Sequence, residues 1–225
     1  MSKIIAIGDI HGRDVWKKMV NDTSFDVCIF IGDYFDSFYL DVDVQIQNFK
    51  DIIAFKKKSK KKVILLIGNH ELHYILPDER YSGFNALRAA DIKEVLNKNM
   101  SHLQIAYQYN DMIFSHAGVT KTWAKEMNLD LVNVADSINA LPLYAFVFNV
   151  VGAISGSGDD IHQGCMWVRP ASLQADAIED YVQIVGHTDV GGITHYSDRI
   201  VLIDATDHGE YLLIGDEEIT VKKVI

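Results

Sequence analysis

Seven side chains able to hold a divalent metal or move a proton stand in short clusters along the chain: Asp9, His11, Asp33, Asn69, His70, His116 and His187. Imidazole nitrogen mixed with carboxylate and amide oxygen suits divalent ions of intermediate hardness. Asp9 and His11 lie two apart, so both can point from one extended turn towards a first ion. Asn69, His116 and His187 can surround a second, and Asp33 is the natural bridge, with one carboxylate oxygen for each. Two ions held about 3.5 to 4 Å apart can activate a bridging water and stabilise a phosphoryl group under in-line attack. His70 directly follows a ligand and need not point the same way. It is suited to donate a proton to the departing alcohol or phosphate. Asp36 can hold His70 in the required tautomer.

These residues share a local context. KIIAIGDIHG, CIFIGD, VILLIGNH and VQIVGH are apolar, largely β-branched runs ending in glycine followed by Asp, Asn or His, and MIFSHAG ends similarly with serine in place of the first glycine. Such runs suit strands buried on both faces. The terminal glycine allows backbone and ligand to approach closely. In an open α/β sheet, sites form at the carboxyl edge, so five runs bring the seven residues together.

Between the runs, Arg13 to Asn21, Val42 to Lys58, Asn85 to Asn97, Thr120 to Asn128 and Leu131 to Ala140 read as helices, the last capped by Asp130. Leu103 to Tyr109 and Met112 to Ser115 flank Asn110 and Asp111 as a hairpin, and from there antiparallel pairing is expected. CMWVRP reads as a short strand ending in Arg169. Leu141 to Gly158, with Tyr144, Phe146 and Phe148, reads first as core, with a dimer contact or a wall beside the site as alternatives, and leads into a glycine-rich connector; the tail beyond Arg199 reads as short strands.

GDIHG, GDYFD, GNHE, SHAG and GHT, in this order, resemble the calcineurin-like metallophosphoesterases. GNHE and the lone histidine of GHT, with Asp189 where the phosphodiesterase branch has a second histidine, are most similar to the serine/threonine phosphoprotein phosphatase branch of bacterial and phage type. The resemblance spans Ile4 to about Asp204. It implies a two-sheet β-sandwich flanked by helices in four αββα layers. It also implies a dinuclear centre with Asp9, His11 and Asp33 on one ion and Asp33, Asn69, His116 and His187 on the other. The expected activity is hydrolysis of a phosphomonoester, including phosphoserine or phosphothreonine, by a metal-bridging hydroxide with His70 as acid. Manganese is the first expectation, with iron or zinc compatible.

One position departs from the pattern: Ser37 stands where protein phosphatases carry an arginine that grips phosphate. A hydroxyl cannot replace a bidentate guanidinium. Arg169, which resembles a second phosphate-binding arginine of the bacterial branch, is the first candidate to compensate, and Arg13 the second. The loss favours a rival, hydrolysis of diadenosine polyphosphates or other nucleotides. A non-catalytic binding protein on a retired scaffold is a further rival, although retired sites lose ligands and here all are present.

A chain of 225 residues, 48% hydrophobic, can bury one sizeable core, so a single domain over residues 1–225 is expected. Its formal charge of −10 disfavours nucleic acid and anionic membranes as partners, but leaves phosphorylated small molecules, nucleotides and phosphoproteins as substrates. Cys28 and Cys165 form no metal or disulfide pattern, and no signal or spanning segment is evident, so a cytoplasmic protein is expected. The lysines around Ser59 read as a solvated helix end. His73, His102, His162, His195 and His208 read as structural, Glu71 as a brace for its loop, and Trp16, Trp123 and Trp167 as core.

Overall fold

The computed structural model describes residues 2–76, 78–149, 158–215 and 218–224. The first apolar runs form β1 (Ile4–Ile7), β2 (Val27–Phe30) and β3 (Lys62–Leu65), which pair in parallel in the order β1-β2-β3. β9 (Glu210–Ile214) joins the free side of β1 antiparallel, and β10 (Ile219–Lys223) lies outside it. A second five-stranded sheet has the order β4-β5-β6-β8-β7, built from Ala106–Tyr109, Met112–Ser115, Val182–Val185, Ile200–Leu202 and Thr194–Ser197 for β4, β5, β6, β8 and β7.

Alternation along the strands shows why these runs are apolar throughout. Ile4, Ala6, Ile29 and Ile31 pack with Phe114, Ile184 and Val201 of the other sheet in a core between the two. Ile5, Ile7, Cys28, Phe30 and Leu65 point to the opposite face, against Trp16, Met19, Phe49, Ile52 and Leu96. That outer layer comes from α1 (Trp16–Asp22), α2 (Val42–Lys58) and α4 (Ala89–Asn99). On the second sheet, Ile113 packs with Trp123, Val134 and Ile138 of α5 (Lys121–Glu126) and α6 (Val134–Asn139). Full burial of an Ile or Phe is worth about 1.5 to 3 kcal/mol. A strand without a polar face therefore needs cover on both sides, and the result is the αββα sandwich.

Some local expectations are corrected. The second sheet is mixed: β5 and β6, and β6 and β8, run parallel, because the segments returning the chain between them are long enough to cross over. CMWVRP forms no strand; Trp167 and Val168 donate their N–H groups to Gly164 O in a turn, and Arg169 precedes α7 (Pro170–Asp176), with Pro170 at its first turn. Asp130 does not cap α6, which starts after Asn133. Its carboxylate instead accepts from Val132 N and Asn133 Nδ2. Leu87, which the helical period would place inside, is exposed ahead of α4. In the Leu141 to Gly158 segment, Phe146 is core, while residues 150–157, including Gly156 of the glycine-rich connector, lie outside the described residues. Among the described residues no helix is long and apolar enough to cross a membrane.

Candidate active site

The site lies where the two sheets present their parallel strand ends. Loops after β1 and β2 deliver Asp9, His11 and Asp33, the helix that follows β3 starts with Asn69 and His70, and loops after β5, β6 and β8 deliver His116, His187 and Asp204. Asp9, His11, Asp33, Asn69, His70, His187 and Asp204 line a cavity of about 330 Å³, and His116 is buried beneath it. Glycines let the strand ends meet: a Cβ on Gly68 would lie 2.1 Å from Asp33 Oδ1, and one on Gly186 would lie 2.0 Å from Asp9 Oδ1.

The backbone is also strained towards this purpose. His11, Asp33, Asp36 and His187 have φ of 42°, 50°, 64° and 65°, in the left-handed region that costs a side-chain-bearing residue about 1 to 3 kcal/mol. Surrounding bonds hold them there. Asp33 O accepts from Ile10 N and His11 N, and His187 N contacts both Asp9 oxygens at 3.1 and 3.2 Å. Glu71 accepts from the backbone N–H groups of Asp33, Tyr34 and Gly68, locking the β2 loop to the start of α3 (Asn69–Ile75).

Asp33 sits at the centre. Its Oδ2 lies 3.3 Å from His116 Nε2, 3.8 Å from His11 Nε2 and 4.0 Å from His70 Nε2, whereas Oδ1 accepts His70 N–H at 3.0 Å. Oδ2 is thus the oxygen on which His116, His11 and His70 converge. Asn69 Oδ1 lies 2.8 Å from His116 Nε2 and 2.9 Å from His187 Nδ1. Asp9, Asp33 and His116 bring ligand atoms within 4.8 Å of one another, as do His11, Asp33 and His70.

The electrostatics fit cations. Burial would raise Asp33, but His116, His70 and His11 outweigh it and hold the carboxyl well below the ordinary range. Asp9 is pushed well up by burial, Asp204 and Asp33. Burial lowers His11 and, helped by His116 and Arg169, lowers His187 well below its usual value, favouring the neutral, ligating imidazole. His116, by contrast, is raised, because Asp33 and Asp9 outweigh its burial; carboxylates and imidazoles crowded together out of water are the donor set that a divalent ion satisfies.

His70 is arranged differently. Its Nδ1 is 2.8 Å from Asp36 Oδ2. Burial would lower its pKa, but Asp33 and Asp36 outweigh that and carry it up to about 9.

Arg169 lines the cavity and donates from one guanidinium nitrogen to His187 O at 2.9 Å and Thr188 Oγ1 at 3.0 Å. Arg13 does not line it. The turn at Gly12, with φ of 74°, carries Arg13 into a neighbouring groove beside Lys17 and Asn48. Ser37 is committed to its own loop, its Oγ accepting from Tyr39 N and Leu40 N.

Asp204 and an aromatic wall also line the cavity. Asp204 ends the apolar run IVLI just as the other site residues end theirs, but without a glycine to mark it; burial, Asp33 and Asp189 raise it to about 7. Tyr81, Phe148 and Trp167 form an aromatic wall, with ring centroids 4.3 Å apart for Tyr81 and Trp167 and 5.2 Å for Phe148 and Trp167. Trp167 is core, as expected, and also faces the site. No spacing marks the other two rings.

Residues 2–191 match the family described as calcineurin-like phosphoesterase. The chain belongs to the calcineurin-like phosphoesterases. Members are metal-dependent hydrolases of phosphoesters, and this chain is one of them. Similar solved structures include a mutant of a cold-active protein tyrosine phosphatase, with 19% identity, TM-score 0.65, and coverage of 98% of this chain and 77% of that one. A protein serine/threonine phosphatase from Saccharomyces cerevisiae has 12% identity and TM-score 0.60, with 99% and 80% covered. A metallophosphoesterase from Sphaerobacter thermophilus has 12% identity and TM-score 0.51, with 99% and 88% covered. No curated protein matches the calcineurin-like chain by sequence.

Proposed function

We propose that this calcineurin-like chain hydrolyses phosphomonoesters, including those of phosphoserine or phosphothreonine, with His70 as the proton donor. The observation that carries the reading is Asp33 Oδ2 facing His11, His116 and His70, while His70 keeps its other nitrogen on Asp36. Asp9, His11 and Asp33 would hold one divalent ion and Asp33, Asn69, His116 and His187 the other, with manganese the first candidate. Bound there, two such ions would supply an activated water and positive charge for the phosphoryl group. The remaining tasks fall to the protein. Asp33, whose Oδ1 also accepts His70 N–H, would be the residue shared between the two ions. His70 Nδ1–H stays on Asp36, which leaves Nε2–H to pass its proton to the leaving oxygen. Arg169 supplies a cation at the rim, where Ser37 cannot.

A second reading, hydrolysis of a dinucleotide polyphosphate, is favoured by the wall of Tyr81, Phe148 and Trp167, since a base can stack on an aromatic face. Both readings are tested by supplying an aryl phosphomonoester and a dinucleotide polyphosphate side by side to metal-stripped protein with added Mn²⁺. Preference for the monoester, lost in Asp33→Asn, supports the phosphomonoesterase. Preference for the dinucleotide supports the second reading, and turnover of neither with metal bound sinks both.

A further inference from the structure

His73 sits one helical turn beyond His70 on α3, so His70, His73 and Tyr74, spaced i, i+3 and i+4, present one face. All three converge on Asp36. His70 Nδ1 is 2.8 Å from Oδ2, His73 Nε2 is 2.6 Å from the same oxygen, and Tyr74 OH donates to Oδ1. The His73 side chain is fully buried. Its protonation follows from its other nitrogen, because Nδ1 accepts Tyr81 N–H at 3.2 Å and so carries no proton. Two lone pairs do not approach to 2.6 Å, so Nε2 bears the proton that meets Asp36. That N–H leaves Nε2 without a well-aligned hydrogen bond, which makes the contact mainly electrostatic.

The contact reaches further than the carboxylate. Tyr81 and Ser82 line the cavity, the Tyr81 ring stacks on His73 at 5.8 Å, and Gly83 packs so closely that a Cβ there would lie 2.8 Å from Asp36 Cβ. We infer that His73 is a positioning residue for the proton donor: it fixes the Asp36 carboxylate that orients His70 and ties this pair to the loop lining the substrate cavity. The inference rests on the reading of His70 as proton donor. His73 touches neither substrate nor reacting atoms, so its loss should show wherever proton donation limits the rate.

Leaving-group dependence separates that effect from general damage. Phenyl phosphate needs a proton delivered to its departing oxygen, whereas 2,4-dinitrophenolate leaves without one. In Mn²⁺-loaded enzyme, His73→Leu is expected to lower kcat for phenyl phosphate about 10- to 100-fold, with KM and metal content unchanged. For 2,4-dinitrophenyl phosphate the loss should stay below about threefold. His73→Gln, which keeps an N–H donor, should recover most of the activity. Adding His73→Leu to His70→Ala should cost nothing further. Equal losses on both esters, or additivity with His70→Ala, would overturn the positioning role. A His70→Ala enzyme that shows no leaving-group dependence would overturn the reading of His70 itself, and this inference with it. Should His73→Leu not fold, His73→Gln and His73→Asn carry the same comparison, because only Gln places its amide near Nε2.

Discussion

Asp33 faces His11, His70 and His116 together, so its removal should be felt by the whole centre. Asp33→Asn keeps the shape but takes away the charge facing three imidazoles, so the two metals should bind at least about 100-fold more weakly, read by titrating metal-stripped protein. Unchanged metal affinity would mean that Asp33 does not bridge. His70→Ala makes a contrasting case: metal content should be retained while kcat on an unactivated monoester falls by about 10²- to 10⁴-fold. At the rim, Arg169→Ala should raise KM for a phosphomonoester more than it lowers kcat. A change in kcat alone would place Arg169 with His187 and Thr188 as a brace for the β6 loop, and not on substrate.

At the scale of elements, the strand-end glycines are the most exposed to test. Gly186→Ala puts a Cβ 2.0 Å from Asp9 Oδ1, so the β6 loop or Asp9 must move. Overpacking of this kind costs about 1 to 3 kcal/mol, and a lowered Tm together with reduced metal content is expected. A stable variant with full metal content would show that the strand ends have slack. The same glycines explain what could be read from the chain. Four apolar runs ending in glycine, and a fifth ending in serine, bring the candidate ligands to strand ends because local composition and strand position coincide there, while the sandwich followed from the family resemblance. Asp204 escaped because its run ends without glycine; the Phe148 segment was open as a wall beside the site, but its partners Tyr81 and Trp167 escaped because they meet it only through tertiary packing. CMWVRP misled for a related reason: a short apolar run before proline suits a buried turn as well as a strand, and Pro170 at the start of α7 decided it. His73 looks structural in isolation, and only the position of Asp36 turns its helical spacing into a contact.

At the scale of the molecule, the centre stores protons that an unfolded chain would release. Without metal, Glu71 is raised to about 8 by burial and Asp33, Asp204 to about 7, and His70 to about 9. A folded-state pKa above the unfolded one gives stability that is complete below the unfolded value and lost as pH rises through the folded one. His11 and His187, lowered on folding, oppose this below about 6.5, so the metal-free protein should lose Tm as pH climbs from about 6.5 to about 9, and excess Mn²⁺ should flatten that decline. A metal-free Tm that rises across this window would contradict the charge arrangement.

The bond between His187 N–H and Asp9 joins positions 178 residues apart, one at the end of β1 and the other at the end of β6. Closing so long a loop adds only a modest entropic cost over a shorter one, but it cannot happen before both sheets exist and have docked. The proposed ligand set should therefore be complete only once the two sheets have docked, and a nascent chain lacking β6 has none of the His187 side of it. Metal capture during refolding should trail the burial of the tryptophans, making the ion a chemical timer for the moment the two halves of the sandwich meet.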